Sequence, residues 1–159
     1  MRTYKINSQA KINLNLNVIR KSKKFHLIES LVCFINLSDK IYISELNSKY
    51  HRVKFIGKFS KNISKKNTIT KLLGLLDKNN VLKKKYKISV KKEIPPQSGM
   101  GGGSMNAANL LNYFYKKKFI TMKELKKYSL KIGSDVILGL NNRPKILYKD
   151  GSIKEIRDI

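Results

Sequence analysis

The chain has 159 residues, 41% of them hydrophobic, and a single cysteine; that is enough for one domain with its own core and excludes an internal disulfide. No apolar run approaches the ~20 residues of a membrane-spanning helix, and the N-terminal "MRTYKINSQAKINLNLNV" lacks the apolar stretch and cleavage site of a secretory signal, so a cytoplasmic protein without a membrane partner is expected. The formal charge of +25 invites a nucleic-acid partner, but 30 lysines against 5 arginines, with 15 asparagines and 19 isoleucines, is the skew of AT-rich codons; arginine, the residue for bidentate base and phosphate contacts, is scarce, and the same positive field draws in any anionic substrate, a nucleotide included.

In chain order, "AKINLNLNV" alternates Ile12, Leu14, Leu16 and Val18 with Lys11, Asn13, Asn15 and Asn17. This period of two predicts a half-buried strand, with its apolar face on a core and its polar face either solvated or lining a cleft. A basic turn, "RKSKKF", leads to a second strand in "HLIESLVCFINL", a third in "DKIYISEL" and a fourth in "YHRVKFIGKF". Cys33, inside the apolar "ESLVCFINL", reads as a buried, inert thiol. Ile69, Leu72, Leu73 and Leu76 then fall at helical spacing and predict a helix running to about Lys85. Tyr86, Ile88 and Val90 alternate along the next strand. Ala107, Leu110, Leu111 and Phe114 form another helical stripe. Thr121 and Glu124 have the spacing of a capping box for a third helix, with Gly133 suited to its stop. "DVILGL" reads as a short strand, and "PKILYKDGSIKEI" as a hairpin turning at "KDG". Strands, helix, strand, helices and strands in that order predict an α+β fold, a mixed sheet with helices on one face.

Between the last sheet-length strand and the second helix lies "IPPQSGMGGGSMNAA", residues 94–108, which holds four of the nine glycines. Glycine weakens regular elements, so such a cluster needs a reason. A glycine loop running into a helix leaves backbone N–H groups pointing into one space and adds the helix's positive end, about half an elementary charge. Without Cβ atoms the backbone can approach a bulky anion, so a phosphate cradle is expected; a tight turn alone would not require three consecutive glycines followed by Ser104. It is not a P-loop, since no Gly-Lys-Ser/Thr follows, nor a dinucleotide fingerprint, whose spacing differs.

"PPQSGMGGGS" resembles the phosphate-loop motif of the GHMP kinases, and three further segments agree in order. "AKINLNLNV" is similar to an opening Ala-Lys-(Ile/Leu)-Asn-Leu motif. "FHLIESLVCFINLSDKIYI" resembles the segment that starts on an aromatic-His pair and ends on Leu-x-Asp-x-(Ile/Leu). "KIGSDVILGL" resembles the Gly-Ala-Asp-Val-Pro segment after the phosphate-loop helix. The resemblance spans residues 9 to about 140 and is strongest to the branch that phosphorylates a cytidine-diphosphate-linked methylerythritol in non-mevalonate isoprenoid synthesis.

The resemblance implies a ribosomal S5 domain 2-like N-terminal kinase domain covering residues 1–159, with the family's C-terminal domain absent from this sequence. It implies ATP and Mg²⁺ as cofactors, Asp135 as the base taking the acceptor's hydroxyl proton, and Lys11 as its partner. ATP would lie along Pro95, Pro96, Gln97, Ser98, Gly99, Met100, Gly101, Gly102, Gly103, Ser104 and Met105, with Asn67 and Lys92 near the adenine. Asn13, Phe25 and His26 would face the cytidine-linked substrate, His26 reading the base and Phe25 stacking on it. No residue is implied as a direct metal ligand. This chain departs from the family pattern at Met105 (usually a second serine), at Gln97 and Ser98 (commonly glycines), and at Ile137 (usually proline). The rival reading is a non-catalytic domain of the same fold that binds RNA through its basic surface, for which the glycine loop and Asp135 would serve no purpose.

Overall fold

The computed structural model describes the backbone of residues 2–21 and 26–156 and the side chains of most of these, excluding residues 19–21 and 26–28. The expected basic turn therefore falls largely, and Phe25 wholly, outside the described residues; His26 is described only as backbone in a strand.

Two long strands form the spine: β1 (Tyr4–Lys21) pairs antiparallel with β2 (His26–Leu46) along nearly its whole length. β3 (Arg52–Ile56) is followed by α1 (Thr68–Lys78) and β4 (Lys85–Lys91), then α2 (Gly102–Lys116) and α3 (Met122–Ile132). A short 3₁₀ turn, Ile137–Leu140, leads into β5 (Lys145–Leu147) and β6 (Ile153–Glu155). On its edge away from β1, β2 pairs with β4 through residues 40–46 and with β5 through residues 30–32. β3 joins β4 in parallel and every other pairing is antiparallel, so the sheet is mixed as expected.

The core forms where apolar stripes meet. Ile41 and Ile43 of β2 and Tyr86, Ile88 and Val90 of β4 face Ile69, Leu72, Leu73 and Leu76 of α1. Leu110, Leu111 and Phe114 of α2 and Leu125, Tyr128 and Ile132 of α3 close the same cluster. The lysines that alternate with the β4 core residues are exposed at positions 87 and 91, so all three helices cover one face of the sheet. Side chains fix the ends of α1 and α3. Asn67 caps α1, its Oδ1 accepting from the N–H groups of Ile69 and Thr70. Thr121 and Glu124 form the expected reciprocal box at the start of α3. His51 Nδ1 accepts the Tyr86 N–H, so its other nitrogen donates to Asp77 Oδ2 at 3.2 Å, beside Lys85 at 2.6 Å. Burial pushes the Asp77 carboxyl up, but the hydrogen bonds from Lys85 and His51 outweigh it and hold it below the usual carboxylate range.

Five expectations are corrected. The second and third strands are one, because Asp39 is satisfied inside the sheet and does not turn the chain. α1 stops at Lys78, where Asn80 takes a positive φ of 55°. "DVILGL" coils as a 3₁₀ turn, through bonds such as Leu138 N–H to Asp135 O, 3.2 Å. On β1 the expected apolar face is left uncovered: Leu14, Leu16 and Val18 are 59, 51 and 52% exposed, Asn15 and Asn17 on the other face are exposed as well, and it is Lys11 that is buried. There the hairpin runs past the helix-covered core, and the register shifts between Asn13 and Asn15. Cys33, on the same extension, is half-buried rather than enclosed. Gly133 does end α3, but at an extended φ of 178° that any residue can adopt. Among the described residues, no helix is long and apolar enough to cross a membrane.

Candidate functional site

The glycine-rich segment leaves β4 and runs through residues 92–101 into α2. Its turns need left-handed backbone at Gln97 (φ 58°), Gly99 (73°) and Gly101 (64°). Gly101 is the N-cap of α2, and no side chain among the described residues caps that end. The first N–H groups of a helix have no partner inside it; here they open without competition onto the hollow in front of the loop. That hollow, about 340 Å³, is lined by residues 95–99, 101–104 and Asn106, with Phe55, Ile63, Asn67, Thr68 and Lys92 opposite. Thr68 Oγ1 donates to the Gly103 carbonyl at 2.7 Å and ties the start of α1 to that of α2. A larger hollow of about 940 Å³ between α2, α3 and the β5–β6 hairpin is lined by none of the loop residues. We assign the site to the smaller one, where unpaired backbone donors converge.

Lys11 links the loop to the rest of the site. Its backbone N–H donates to the Met100 carbonyl at 3.1 Å. Its ammonium donates to Asn13 Oδ1 at 3.0 Å and lies 3.3 Å from Asp135 Oδ2. The Lys11 side chain is 7% exposed and that of Asp135 39%, so the carboxylate is open to an incoming group while the lysine stays behind it. The loop crosses directly over the lysine stem: a Cβ on Gly101 would lie 2.9 Å from Lys11 Cγ. Lys11 thus meets Met100 and Asp135, far from it in sequence, beside the loop, because β1 runs under it and the α3–3₁₀ connection carries Asp135 to the same edge.

Other expected site residues are placed differently. The Asn67 side chain lines the hollow but is engaged as a helix cap, its amide donating to the Ser64 carbonyl at 2.9 Å. The Lys92 ammonium is bound to Asp39. Met105 does not join the hollow: its side chain is fully buried and packs toward Gly139, where a Cβ would lie 2.7 Å from Met105 Sδ. That replacement of a hydroxyl by a thioether follows from helix packing. Met100 contributes its carbonyl to Lys11 rather than a wall to the hollow. Asp39 and Asn106 were missed by sequence reasoning. Both are buried behind the loop; the available signal was an acid two residues from Leu37 and from Ile41, in a chain with only ten acids.

Comparison with known proteins matches residues 67–148 to the family described as GHMP kinases N terminal domain. The chain is 55% identical over 161 residues to the 4-diphosphocytidyl-2-C-methyl-D-erythritol kinase of Pelagibacter ubique (strain HTCC1062), covering 99% of this chain and 57% of that protein. It is 34% identical to the protein of the same name from Wolbachia pipientis wMel, covering 91% of this chain and 52% of that one. Among solved structures, a crystal structure of 4-(cytidine 5'-diphospho)-2C-methyl-D-erythritol kinase superposes with a TM-score of 0.78 at 24% identity, over 96% of this chain and 55% of that one. The mevalonate pyrophosphate decarboxylase of Streptococcus pyogenes shares the fold at a TM-score of 0.67 and 14% identity, over 98% of this chain and 51% of that one. The chain thus spans about half the length of the relatives it matches.

Proposed function

Because this chain belongs to the GHMP kinase family, we propose that it forms the nucleotide-binding and catalytic half of an ATP-dependent small-molecule kinase. The acceptor is the 2-hydroxyl of 4-diphosphocytidyl-2-C-methyl-D-erythritol, in isoprenoid precursor synthesis. The named relatives support the choice of substrate. The observation that carries the reading is the double engagement of Lys11, whose N–H holds the loop at Met100 while its ammonium pairs with Asp135.

Phosphoryl transfer asks a protein mainly for positioning and charge compensation. The free N–H groups at the start of α2 bind the phosphate oxygens, helped by the helix's positive end. Asp135 Oδ1 or Oδ2 takes the proton of the acceptor hydroxyl as that oxygen attacks the terminal phosphorus. The Lys11 ammonium, 3.3 Å from Asp135, holds the carboxylate in place and stabilises the developing alkoxide. Asn13 holds Lys11 in that orientation. Gly99 has open space where a Cβ would stand, which suits the close approach of a triphosphate. Mg²⁺ fits as a companion of the nucleotide: the loop offers the Ser104 hydroxyl as a hard oxygen donor, and among the described residues there is no cluster of three acids or imidazoles. When bound, Mg²⁺ supplies charge neutralisation on the phosphates. Phe25 and His26 remain the proposed base-reading residues.

Calorimetric titration tests this reading against the RNA-binding alternative. The chain is titrated with ATP–Mg²⁺ and with a short RNA at two salt concentrations. Saturable ATP binding that changes little with salt is expected. Absence of ATP binding, together with RNA binding that falls steeply as salt rises, would favour the alternative and overturn the kinase reading.

A further inference from the structure

Behind the loop lies a polar knot that the transfer step does not use. Asp39 is completely buried, and all its acceptor positions are filled. Oδ1 accepts the N–H groups of Glu93 at 2.8 Å and Ile94 at 2.9 Å. Oδ2 accepts Asn106 Nδ2 at 2.8 Å and the Lys92 ammonium. Lys92 and Asn106 are 5% and 1% exposed, so this is a carboxylate, an ammonium and an amide buried together. A buried charge is tolerated only when paired and hydrogen-bonded, so these groups are held to a narrow geometry.

Their places in the chain give the knot its consequence. Lys92, Glu93 and Ile94 form the stem by which the chain enters the glycine loop; Asn106 lies in the first turns of α2, on the stem by which it leaves. Asp39, on the central strand, bonds both stems at once. The Lys92 ammonium also fills the space beside Gly102, where a Cβ would come within 3.1 Å of Nζ. Asn106 is left with its Oδ1 as a buried acceptor without a partner among the described residues. Its amide orientation is dictated by the carboxylate rather than by its own best hydrogen bonding.

We propose that Asp39 is a positioning residue for the nucleotide's phosphates: by bonding both stems it sets how the loop of residues 95–104 presents its N–H groups. The inference rests on the reading of that loop as a nucleotide site. It also reassigns Lys92, whose ammonium belongs to the knot and does not contact the nucleotide.

The test measures the affinity of the chain for ATP and for adenosine, by ligand-observed NMR, in Asp39→Asn and in Asp39→Asn/Lys92→Met. In the single variant, losing one charge-assisted set of bonds is expected to weaken ATP binding about tenfold or more, while adenosine, which has no phosphates to present, changes less than about threefold. The double variant removes both charges. Its new amide can still accept from Glu93 and Ile94 and can donate to a turned Asn106, so ATP affinity is expected to return to within about threefold of the parent. Unchanged ATP affinity in a folded Asp39→Asn chain would overturn the proposal, as would an equal loss for ATP and adenosine. If circular dichroism shows the single variant unfolded, the double variant decides. Parental ATP affinity there supports the knot as a scaffold; a tenfold loss would make the Lys92 ammonium a nucleotide contact and overturn the proposal. Failure of the parent chain itself to bind ATP would instead sink the nucleotide reading, a separate and recognisable result.

Discussion

Asp135→Asn is expected to slow phosphoryl transfer by about 10²–10⁴-fold, which corresponds to roughly 2.7–5.4 kcal/mol of barrier. The amide keeps the shape of the carboxylate but cannot take the acceptor's proton. It also leaves the Lys11 ammonium, 7% exposed, without its anionic partner, so alkoxide stabilisation has to come from a lysine no longer fixed by an ion pair. The nucleotide should be affected far less, because its phosphates are proposed to rest on backbone N–H groups at the start of α2 rather than on Asp135. Steady-state kinetics with ATP and the cytidine-linked acceptor separate these effects: kcat should fall while the KM for ATP changes by less than about threefold. Undiminished kcat would remove Asp135 from the base's role. A large rise in the KM for ATP at constant kcat would move it to nucleotide binding.

Gly101→Val should be nearly as damaging, for a different reason. Gly101 sits at φ 64°, where a β-branched residue is a severe outlier. The left-handed backbone alone costs about 1–2 kcal/mol. The new Cβ would also stand 2.9 Å from Lys11 Cγ, so either the lysine stem or the loop must move. If the stem moves, the ammonium leaves Asp135; if the loop moves, the bond from Lys11 N–H to Met100 O is lost. Both routes lower phosphoryl transfer. A drop of about 10²-fold or more is expected, with a loss of stability of about 2–3 kcal/mol measured by urea denaturation. A variant with parental turnover would show that the loop and Lys11 are not mechanically linked.

The residues that revealed themselves in the sequence are those whose local chemistry has one physical solution. Stripes such as Ile69, Leu72, Leu73 and Leu76 can be buried together only on a helix, and these four are buried. The Thr121–Glu124 spacing has its meaning in three residues, and the structure shows that reciprocal cap. The glycine run announced a loop with unusual backbone, and positive φ angles occur at Gly99 and Gly101. The misreadings arose where the deciding partner is remote. Alternation along β1 separates two faces but does not say which is covered; the helices end short of Leu14, so its apolar face is left open while Lys11 is enclosed. The polar Ser38 and Asp39 divide one strand into two on paper until Glu93, Ile94 and Asn106 arrive to bond the carboxylate. The four apolar residues of Ile137–Leu140 are too few to tell a strand from a 3₁₀ turn by period. In the site, Asp135 and Lys11 were named through a resemblance to known motifs; Asp39 lay within one of the resembling segments, but its bonds to Lys92, Glu93, Ile94 and Asn106 were legible only in three dimensions.

ATP binding as proposed requires the backbone N–H groups at the start of α2 to receive phosphate. Amide NMR of the isotopically labelled chain reads those groups one by one. Addition of ATP should displace the resonances of Gly101, Gly102, Gly103 and Ser104 most, and adenosine at equal saturation should leave them nearly still. ATP binding that instead displaces residues around the β5–β6 hairpin, with the four loop amides unmoved, would contradict the account.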